Sequence, residues 1–272
     1  MKQLANYLFC DLKQTKEISW FRNALYSLVL YKVFIYIIQF NTLFSDERLI
    51  YKHAHFGNPI INSVFFLNNY YSVALGAFFI LVIALCAVIG LLKKSTYITN
   101  LLLWLLMMNV SSFIYMTTDA GDYFLNQLLL FNCFFLPKNT KSSIINDFKT
   151  VLHNGSLAIL KLQVCFAYAV SAYLKIIDPS WTGGMAIHQI FQIPQYSNIV
   201  FQSVPAGICV VLTYATLCYQ LLFPFLVWVR AFKIYLLVFG ISLHLCIAFG
   251  MGLVGFGLVM IISYILFLKY DN

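Results

Sequence analysis

A lysine near the end of a strongly apolar stretch is the first residue of this sequence that could do chemistry. Lys175 lies in the segment Val164–Gly184 (VCFAYAVSAYLKIIDPSWTGG), whose helical pattern ends at Asp178-Pro179 and is followed by Trp181. A lysine on an apolar helix is costly unless it reaches the membrane surface or finds a partner. Removed from water, it can act as a general base, whereas a neighbouring carboxylate would hold it charged in an ion pair. The residue types alone permit both roles.

Other polar residues in apolar surroundings could share a site with this lysine. The candidates for a pocket are Asp119, Asp122, Asp178, Trp181 and Gln220, with His244 as a candidate catalytic residue. Each also has a structural interpretation. His244 could form a hydrogen bond between helices, and Asp119 and Asp122 could cap a helix start. Asp178 precedes a proline and could simply mark the end of a helix.

The rest of the chain must supply membrane-spanning helices that position these residues. Of 272 residues, 62% are hydrophobic and 10% charged, and the mean hydropathy is +0.85. Apolar runs of about 20 residues recur, which is the length that a helix needs to span a bilayer. We predict an all-α, polytopic integral membrane bundle of about eight transmembrane helices, forming a single domain over residues 1–272 with no separate soluble domain. The predicted spans are Arg22–Phe40, Tyr71–Leu92, Tyr97–Met116, Tyr123–Leu136, Ser156–Ile177, Ala206–Val229 and two within Tyr235–Leu268.

Four local features of this arrangement are predicted as well. The run Tyr235–Leu268 is too long for one span, and its glycines are expected to supply a turn. Residues 138–155 are polar and basic and lie before the fifth predicted span, which starts at Ser156. The segment Trp181–Asn198 alternates apolar and polar residues, which is typical of an interfacial segment or a re-entrant loop. Lys32 lies inside the first span and is expected to pair or to extend towards the surface.

The distribution of basic residues predicts the orientation. With eight spans and both termini in the cytoplasm, most lysines and arginines of the loops fall on the cytoplasmic side, as the positive-inside rule requires. Lys175, Asp178, Asp119 and Asp122 then belong to the outer face. The N-terminal segment lacks the pattern of a cleavable signal, so the first span is expected to be an uncleaved anchor. We expect a bacterial cytoplasmic membrane as the location and the lipid bilayer as a partner.

Several other function classes are disfavoured by composition and spacing. The net charge is +8, but the basic residues lie between apolar runs, which serves membrane orientation and excludes a nucleic-acid partner. The seven cysteines form no CxxC pair and lie mostly in apolar helices, as small buried residues do. His53 and His55 could bind a metal, but no third ligand is near them, so we predict no metal site. Phosphate-binding loops and hydrolase motifs are absent from the sequence.

Three motifs carry a resemblance to a known membrane family. They are DAGDYFLNQLLLFNCFFLP (119–137), YAVSAYLKIIDPSWTGG (168–184) and the pair YQLLFPFLVW (219–228) with HLCIAFGMGLVGFGLVMI (244–261). In order and spacing they resemble the horizontally transferred transmembrane domain family, which is related to the membrane part of vitamin K-dependent gamma-carboxylase. Together with the pattern of spans, the resemblance covers nearly the whole chain.

The resemblance implies an activity and a cofactor. In the carboxylase, the corresponding lysine is the proposed base that deprotonates vitamin K hydroquinone, so Lys175 takes that place and a quinone or vitamin K-like hydroquinone is the implied cofactor. His244 matches a family histidine near the same pocket. The carboxylase's large luminal region has no counterpart here, and Gln220 stands where an acidic residue is expected in many relatives. The resemblance therefore implies a quinol- or oxygen-linked enzyme that modifies a small secreted peptide or a lipid.

Two alternatives from other function classes stay open. Small relatives of the family include the membrane component of a sporulation-delaying toxin system, which suggests a non-catalytic accessory protein for maturation or export of a small secreted peptide. That peptide or its export machinery would then be a partner. A small-solute transporter is the second alternative, favoured by the intramembrane polar residues and broken helices. An enzyme should lose activity on Lys175→Ala or His244→Ala without unfolding, an accessory should tolerate both changes, and a transporter should respond most to changes at Gln220 and Pro224.

Overall fold

Helices make up the regular structure of the residues described. The computed structural model describes residues 8, 15–45, 64–65, 67, 70–135, 143–197 and 199–268, and no β-strand occurs in these ranges, in agreement with the all-α prediction. The described helices are α1 (Thr15–Ile38), α2 (Phe40–Phe44), α3 (Val73–Leu91), α4 (Tyr97–Phe113), α5 (Ala120–Asn132), α6 (Ser143–Ile176), α7 (Pro179–Thr182), α8 (Ala186–Phe191), α9 (Ile199–Gln202), α10 (Ala206–Leu226), α11 (Arg230–Leu245) and α12 (Val254–Tyr264).

Length and composition identify the helices that could cross a membrane. Among the described residues, five helices are long and apolar enough: Lys16–Ile38, Val73–Leu91, Ile144–Ile176, Ala206–Leu226 and Arg230–Gly250. Two shorter apolar helices cover Tyr97–Phe113 and Val254–Phe267. Large apolar side chains such as Ile98 and Phe225 are 78% and 71% exposed, which suits a lipid environment. The five apolar helices indicate an integral membrane protein.

Polar side chains begin two of the apolar helices. Ser72 precedes α3, and its hydroxyl accepts a hydrogen bond from the backbone N–H of Leu75 at 3.1 Å. Thr96 precedes α4 and forms a capping box with Thr99, in which each side chain bonds the other's backbone N–H. Such caps satisfy amides that have no partner within the helix. Between these helices the chain turns through Lys93, which has a left-handed φ of +59°.

Helix α6 begins well before the position predicted for the fifth span. The fifth span was predicted to start at Ser156, whereas residues 143–155 already form the first turns of α6. The reason is that this stretch is amphipathic and has several polar residues on its buried side. Thr150 and Asn154 are buried, whereas Phe148 is exposed. Residues 136–142 lie outside the described part of the chain.

The apolar run Tyr235–Leu268 forms two helices, as predicted. Helix α11 continues into a π-helical segment, Cys246–Gly250, and the chain then turns through Gly252, whose φ is +74°. The two helices approach closely at Gly257, where an added Cβ would lie 2.6 Å from the backbone oxygen of His244. Glycine therefore supplies both the left-handed turn and the close contact.

The chain divides into two units, residues 1–157 and 158–272, with the boundary inside α6. In the first unit, α1 packs on α3, α3 on α4 and α4 on α5. Its core includes Phe21, Leu25 and Ile83, all fully buried. In the second unit, α8 packs on α10 and α11 packs on α12. The prediction of a single domain stays a prediction.

Two short helices, α7 and α8, occupy much of the segment Trp181–Asn198, of which residue 198 lies outside the described residues. The backbone N–H of Ile187 donates to Thr213 Oγ1 on α10 at 3.2 Å. The hydroxyl of Tyr214, also on α10, donates to the carbonyl of Thr182 at 2.8 Å. These bonds hold the segment against α10. Its placement in the membrane interface or as a re-entrant loop stays a prediction.

Candidate functional site

Lys175 lies in the last turn of α6 and is held by a serine one turn earlier. Its Nζ donates a hydrogen bond to Ser171 Oγ at 2.8 Å. Ser171 Oγ in turn donates to Gln220 Oε1 on α10 at 3.1 Å. The spacing explains the first bond, since residues four apart on a helix face each other. The second bond joins two predicted site residues, Lys175 and Gln220, through a serine that the sequence analysis did not single out.

An aromatic ring covers the same ammonium group. Lys175 Nζ lies 4.7 Å from the centre of the Trp181 ring, within the range of a cation–π contact. Trp181 is placed there by α7, which begins with Pro179 at its first position. Asp178 caps α7, and its Oδ1 accepts the backbone N–H of Ser180 at 2.8 Å. Asp178 thus has the structural role of a cap, and the chain break that it marks brings Trp181 back over Lys175.

Within the part of the chain that the structure describes, no carboxylate lies at salt-bridge distance from Lys175 Nζ. An ammonium group carries three protons, and Ser171 accepts one of them. The other two can be offered to an oxygen of a bound molecule. The Lys175 group therefore suits a ligand with a hydroxyl or carbonyl oxygen beside a flat ring, since Trp181 offers an aromatic face.

His244 belongs to a second polar group, built from tyrosines. Its Nε2 lies 2.7 Å from the hydroxyl of Tyr168 on α6. The Tyr168 hydroxyl also bonds the hydroxyl of Tyr264 on α12, which lies 3.0 Å from that of Tyr219 on α10. All four side chains are buried. The hydrogen-bonding interpretation of His244 is thus observed, and its partner is Tyr168.

Helix α6 presents both groups on one side. Tyr168, Ser171 and Lys175 are spaced by three and four residues, which places them along one helix face. Neighbouring residues of α10, Tyr219 and Gln220, bond to the two groups in the same order. The Lys175 group and the His244 group therefore lie on successive turns of α6, and each also includes one of two adjacent residues of α10, although no hydrogen bond among the described residues joins Lys175 to His244 directly.

The acidic candidates Asp119 and Asp122 lie in the first unit, where each has local partners. They form a capping box at the start of α5, with bonds of 3.0 and 3.2 Å between side chains and backbone amides. Asp122 also forms an ion pair with Lys32 of α1, with an Nζ to Oδ1 distance of 2.6 Å. Their side chains are only 13% (Lys32) and 7% (Asp122) exposed. The expectation that Lys32 would find a partner inside the bundle is confirmed.

Metal and thiol chemistry receive no support from the described residues. No group of three or more histidine, cysteine or acidic side chains comes together there in a way that could hold a metal ion. His53 and His55 lie outside those residues. The described cysteines are free thiols.

Sequence reasoning missed the tyrosines and Ser171. The sequence has 18 tyrosines, and the sequence analysis did not distinguish these three from the rest. One signal in the sequence could have pointed to two of these tyrosines as site residues. Tyr168 precedes Lys175 by two helical turns, and Tyr219 is next to Gln220. The bonds between Tyr168, Tyr219 and Tyr264 join residues of three helices, and no spacing within one helix predicts them.

Comparisons of the chain with protein-family models, with curated proteins and with solved structures find no match.

Proposed function

We propose that the protein is a membrane enzyme of the horizontally transferred transmembrane domain family, with Lys175 as general base in quinol- or oxygen-linked chemistry. The observation that supports this most is the setting of the Lys175 ammonium. It bonds a serine hydroxyl and lies over an aromatic ring, and no described carboxylate is within salt-bridge distance. A base must release its proton to act again, and an adjacent carboxylate would oppose that release.

A hydroquinone is the proposed partner of this group, since its chemistry matches what the side chains offer. Its hydroxyl is acidic enough to give a proton to an amine, and its ring can stack on Trp181. In its neutral amine form Lys175 would take the hydroxyl proton and become the ammonium, while Ser171 holds the lysine side chain in place and Gln220 holds the serine. A bound hydroquinone would supply the reducing electrons for the modification of a secreted peptide or a lipid.

His244 is proposed as a second catalytic residue. It is buried, and Tyr168 connects it to the same face of α6 that carries Ser171 and Lys175. Asp178 and Trp181 shape the site from α7, whereas Asp119 and Asp122 are proposed to stabilise the first unit. These different roles follow from the contacts of the two aspartates. Asp178 caps α7, which carries Trp181, whereas Asp122 caps α5 and forms an ion pair with Lys32.

The proposed topology has eight spans with both termini in the cytoplasm, in a bacterial cytoplasmic membrane. The five long apolar helices, the two shorter ones and α5 together provide eight segments of suitable order. Helix α5, with 13 residues, measures about 20 Å at the rise of an α-helix and is shorter than the roughly 30 Å hydrocarbon core. In this topology Lys175 and α7 lie at the outer face, where a small secreted peptide could reach them.

Quinol turnover by the purified protein tests the proposal. The detergent-solubilised protein would be supplied with a water-soluble hydroquinone and oxygen, and oxygen consumption would be recorded for wild type, Lys175→Met and Lys94→Met. Lys94 is an exposed lysine after α3 and serves as the matched control. We expect the Lys175 variant to lose turnover and the Lys94 variant to keep it, with unchanged thermal unfolding in both.

Two outcomes would count against the proposal. Full turnover by Lys175→Met would show that the lysine is not the base. No turnover by folded wild-type protein with any of several hydroquinones would favour the accessory function, which predicts that Lys175→Met still supports release of the secreted peptide in cells.

A further inference from the structure

An arginine of α1 joins this helix to the turn between α3 and α4. One terminal nitrogen of the Arg22 guanidinium, Nη1, donates to the carbonyl of Phe135 at 2.7 Å. The other, Nη2, donates to the hydroxyl of Tyr26 at 3.0 Å and to Ser95 Oγ in the turn. All three acceptors are neutral. These bonds hold the guanidinium at the end of the first unit where α3 ends and α4 begins.

The positive charge of Arg22 has no counter-ion among the described residues. No described carboxylate lies at salt-bridge distance from it, that of Glu17 on the same helix included. The side chain is half-buried, and no described group accepts the proton on its buried Nε. A partly buried charge that contacts only neutral groups is costly, and an anion beside it lowers that cost. A guanidinium suits phosphate in particular, because its donors lie in one plane and match two phosphate oxygens.

A buried polar layer around the Tyr26 hydroxyl offers a second unused donor. This hydroxyl accepts from Arg22 and from Asn132 Nδ2, the latter at 3.1 Å, and donates to Asn100 Oδ1 at 2.8 Å. Tyr26, Asn100 and Asn132 are at most 2% exposed. Two donors of the group, Arg22 Nε and Asn100 Nδ2, and one acceptor, Asn132 Oδ1, have no partner among the described residues. The surplus is of donors and carries a positive charge, which favours an anionic ligand over a cation.

Lys93, two residues before Ser95, brings a second charge in a backbone conformation that favours glycine. Its φ is +59°, its N–H bonds the carbonyl of Gly90, and the N–H of Lys94 bonds that of Ile89. Lys93 thus occupies the position after a helix that glycine most often fills, where a side chain costs conformational energy. Strain of this kind is found at functional sites more often than elsewhere. A lysine after a helix also interacts favourably with the helix dipole, so the experiment must separate the two roles.

The surface around this turn is apolar and aromatic as well as basic. Leu92 and Ile98, on the two sides of the turn, are 61% and 78% exposed, and Trp20 on α1 is 49% exposed. Lys16 Nζ lies 5.3 Å from the centre of the Trp20 ring. Tryptophan beside exposed apolar and basic side chains is typical of the level at which acyl chains meet lipid headgroups. The anion that suits this surface is therefore one that is carried by a lipid.

We propose that Arg22, Ser95 and Lys93 bind the phosphate of an anionic phospholipid. The second proton of Arg22 Nη1 is unused, and Ser95 Oγ accepts from Arg22, so its own proton can be donated to a phosphate oxygen. Lys93 adds a charge at the exposed side of the turn. The acyl chains lie against Leu92 and Ile98. This site is separate from Lys175 and does not depend on the proposed enzyme activity.

Competition between two lipids with the same acyl chains tests this proposal. Delipidated protein in an uncharged detergent would receive equal amounts of palmitoyl-oleoyl phosphatidylglycerol and phosphatidylcholine, and native mass spectrometry would count each bound lipid. We expect wild type to bind phosphatidylglycerol at least about fivefold more, which is the preference that one basic side chain near an anionic surface supplies. Lys93→Gly should lower that preference at least about twofold, while its thermal unfolding temperature should not fall, because glycine relieves the left-handed backbone.

Lys94→Gly is the matched control, because it removes the same charge from the next exposed residue of the turn. It should keep the preference of wild type, whereas Arg22→Gln, if folded, should bind the two lipids about equally. The proposal is overturned if folded wild type shows no preference or if Lys93→Gly retains it in full. An equal loss in Lys94→Gly would show only diffuse attraction between charges and would overturn it too. So would displacement of bound phosphatidylglycerol by inorganic phosphate, which would make free phosphate the ligand.

Discussion

Lys175 Nζ lies 2.8 Å from Ser171 Oγ, its neighbour one turn earlier on α6. The lysine side chain is therefore held against its own helix and under the ring of Trp181. A lysine that only anchored the helix would extend its ammonium to the lipid headgroups. The arrangement fixes the position of the amino group, and it is the basis of the proposed activity.

The proposed orientation predicts which exposed positions are reached from each side. Thr182 is exposed and follows Trp181, whereas Lys94 is exposed after α3. In intact cells, a cysteine at Thr182→Cys should react with a membrane-impermeant maleimide, and one at Lys94→Cys should react only after the cells are opened. Labelling is measured against the parent protein with its native cysteines. The reverse pattern would contradict the placement of Lys175 at the outer face.

The Lys32–Asp122 ion pair predicts that substitutions of its two residues have non-additive effects on stability. Removing one partner, as in Asp122→Asn or Lys32→Met, leaves a buried charge without its counterpart and should cost about 3–5 kcal/mol. Thermal unfolding of the purified protein in detergent measures the change. The double variant Lys32→Met with Asp122→Asn should lose less stability than the sum of the two single variants. Equal and additive losses would show that the pair contributes no coupling energy.

Gly240 on α11 packs against the tyrosine hydroxyls, so we expect a side chain at this position to destabilise the protein. A Cβ there would contact the hydroxyls of both Tyr219 and Tyr264. Gly240→Ala should therefore destabilise the protein by about 1–3 kcal/mol in thermal unfolding. Gly207→Ala in α10 is the control, because nothing lies within 4 Å of its added Cβ and alanine favours a helix. If Gly240→Ala were as stable as Gly207→Ala, the claim that the two tyrosine hydroxyls pack closely against Gly240 would be contradicted.

The fold was largely predictable because long apolar runs leave few alternatives to membrane helices. Helix α3 was predicted over Tyr71–Leu92 and is observed over Val73–Leu91. The start of α6 was missed for a physical reason. The polar stretch before Ser156 was left out of the predicted span, but Asn154 is buried there and donates to the carbonyl of Leu8 at 3.3 Å.

The candidate site was predictable in part. Lys175, Trp181 and Gln220 were singled out from the sequence. The structure joins Lys175 to Gln220 through Ser171 and places Lys175 Nζ over the Trp181 ring. Asp122 was assigned to the same pocket as Lys175 because both residues fall on the predicted outer face. In the structure Asp122 instead forms an ion pair with Lys32 within the first unit. Sequence could predict that a lysine inside a span needs a partner. It could not identify that partner, because the choice depends on which helices pack together.

Chemical rescue of Lys175→Ala tests the central claim most directly. Small primary amines can enter the space left by a truncated lysine and replace its amino group. If Lys175 is the base, hydroquinone-dependent oxygen consumption should be lost in Lys175→Ala and restored by methylamine or ethylamine, with more basic amines giving faster turnover. Lys94→Ala should be insensitive to amines. Turnover by Lys175→Ala equal to wild type without added amine would contradict the assignment of Lys175 as the base.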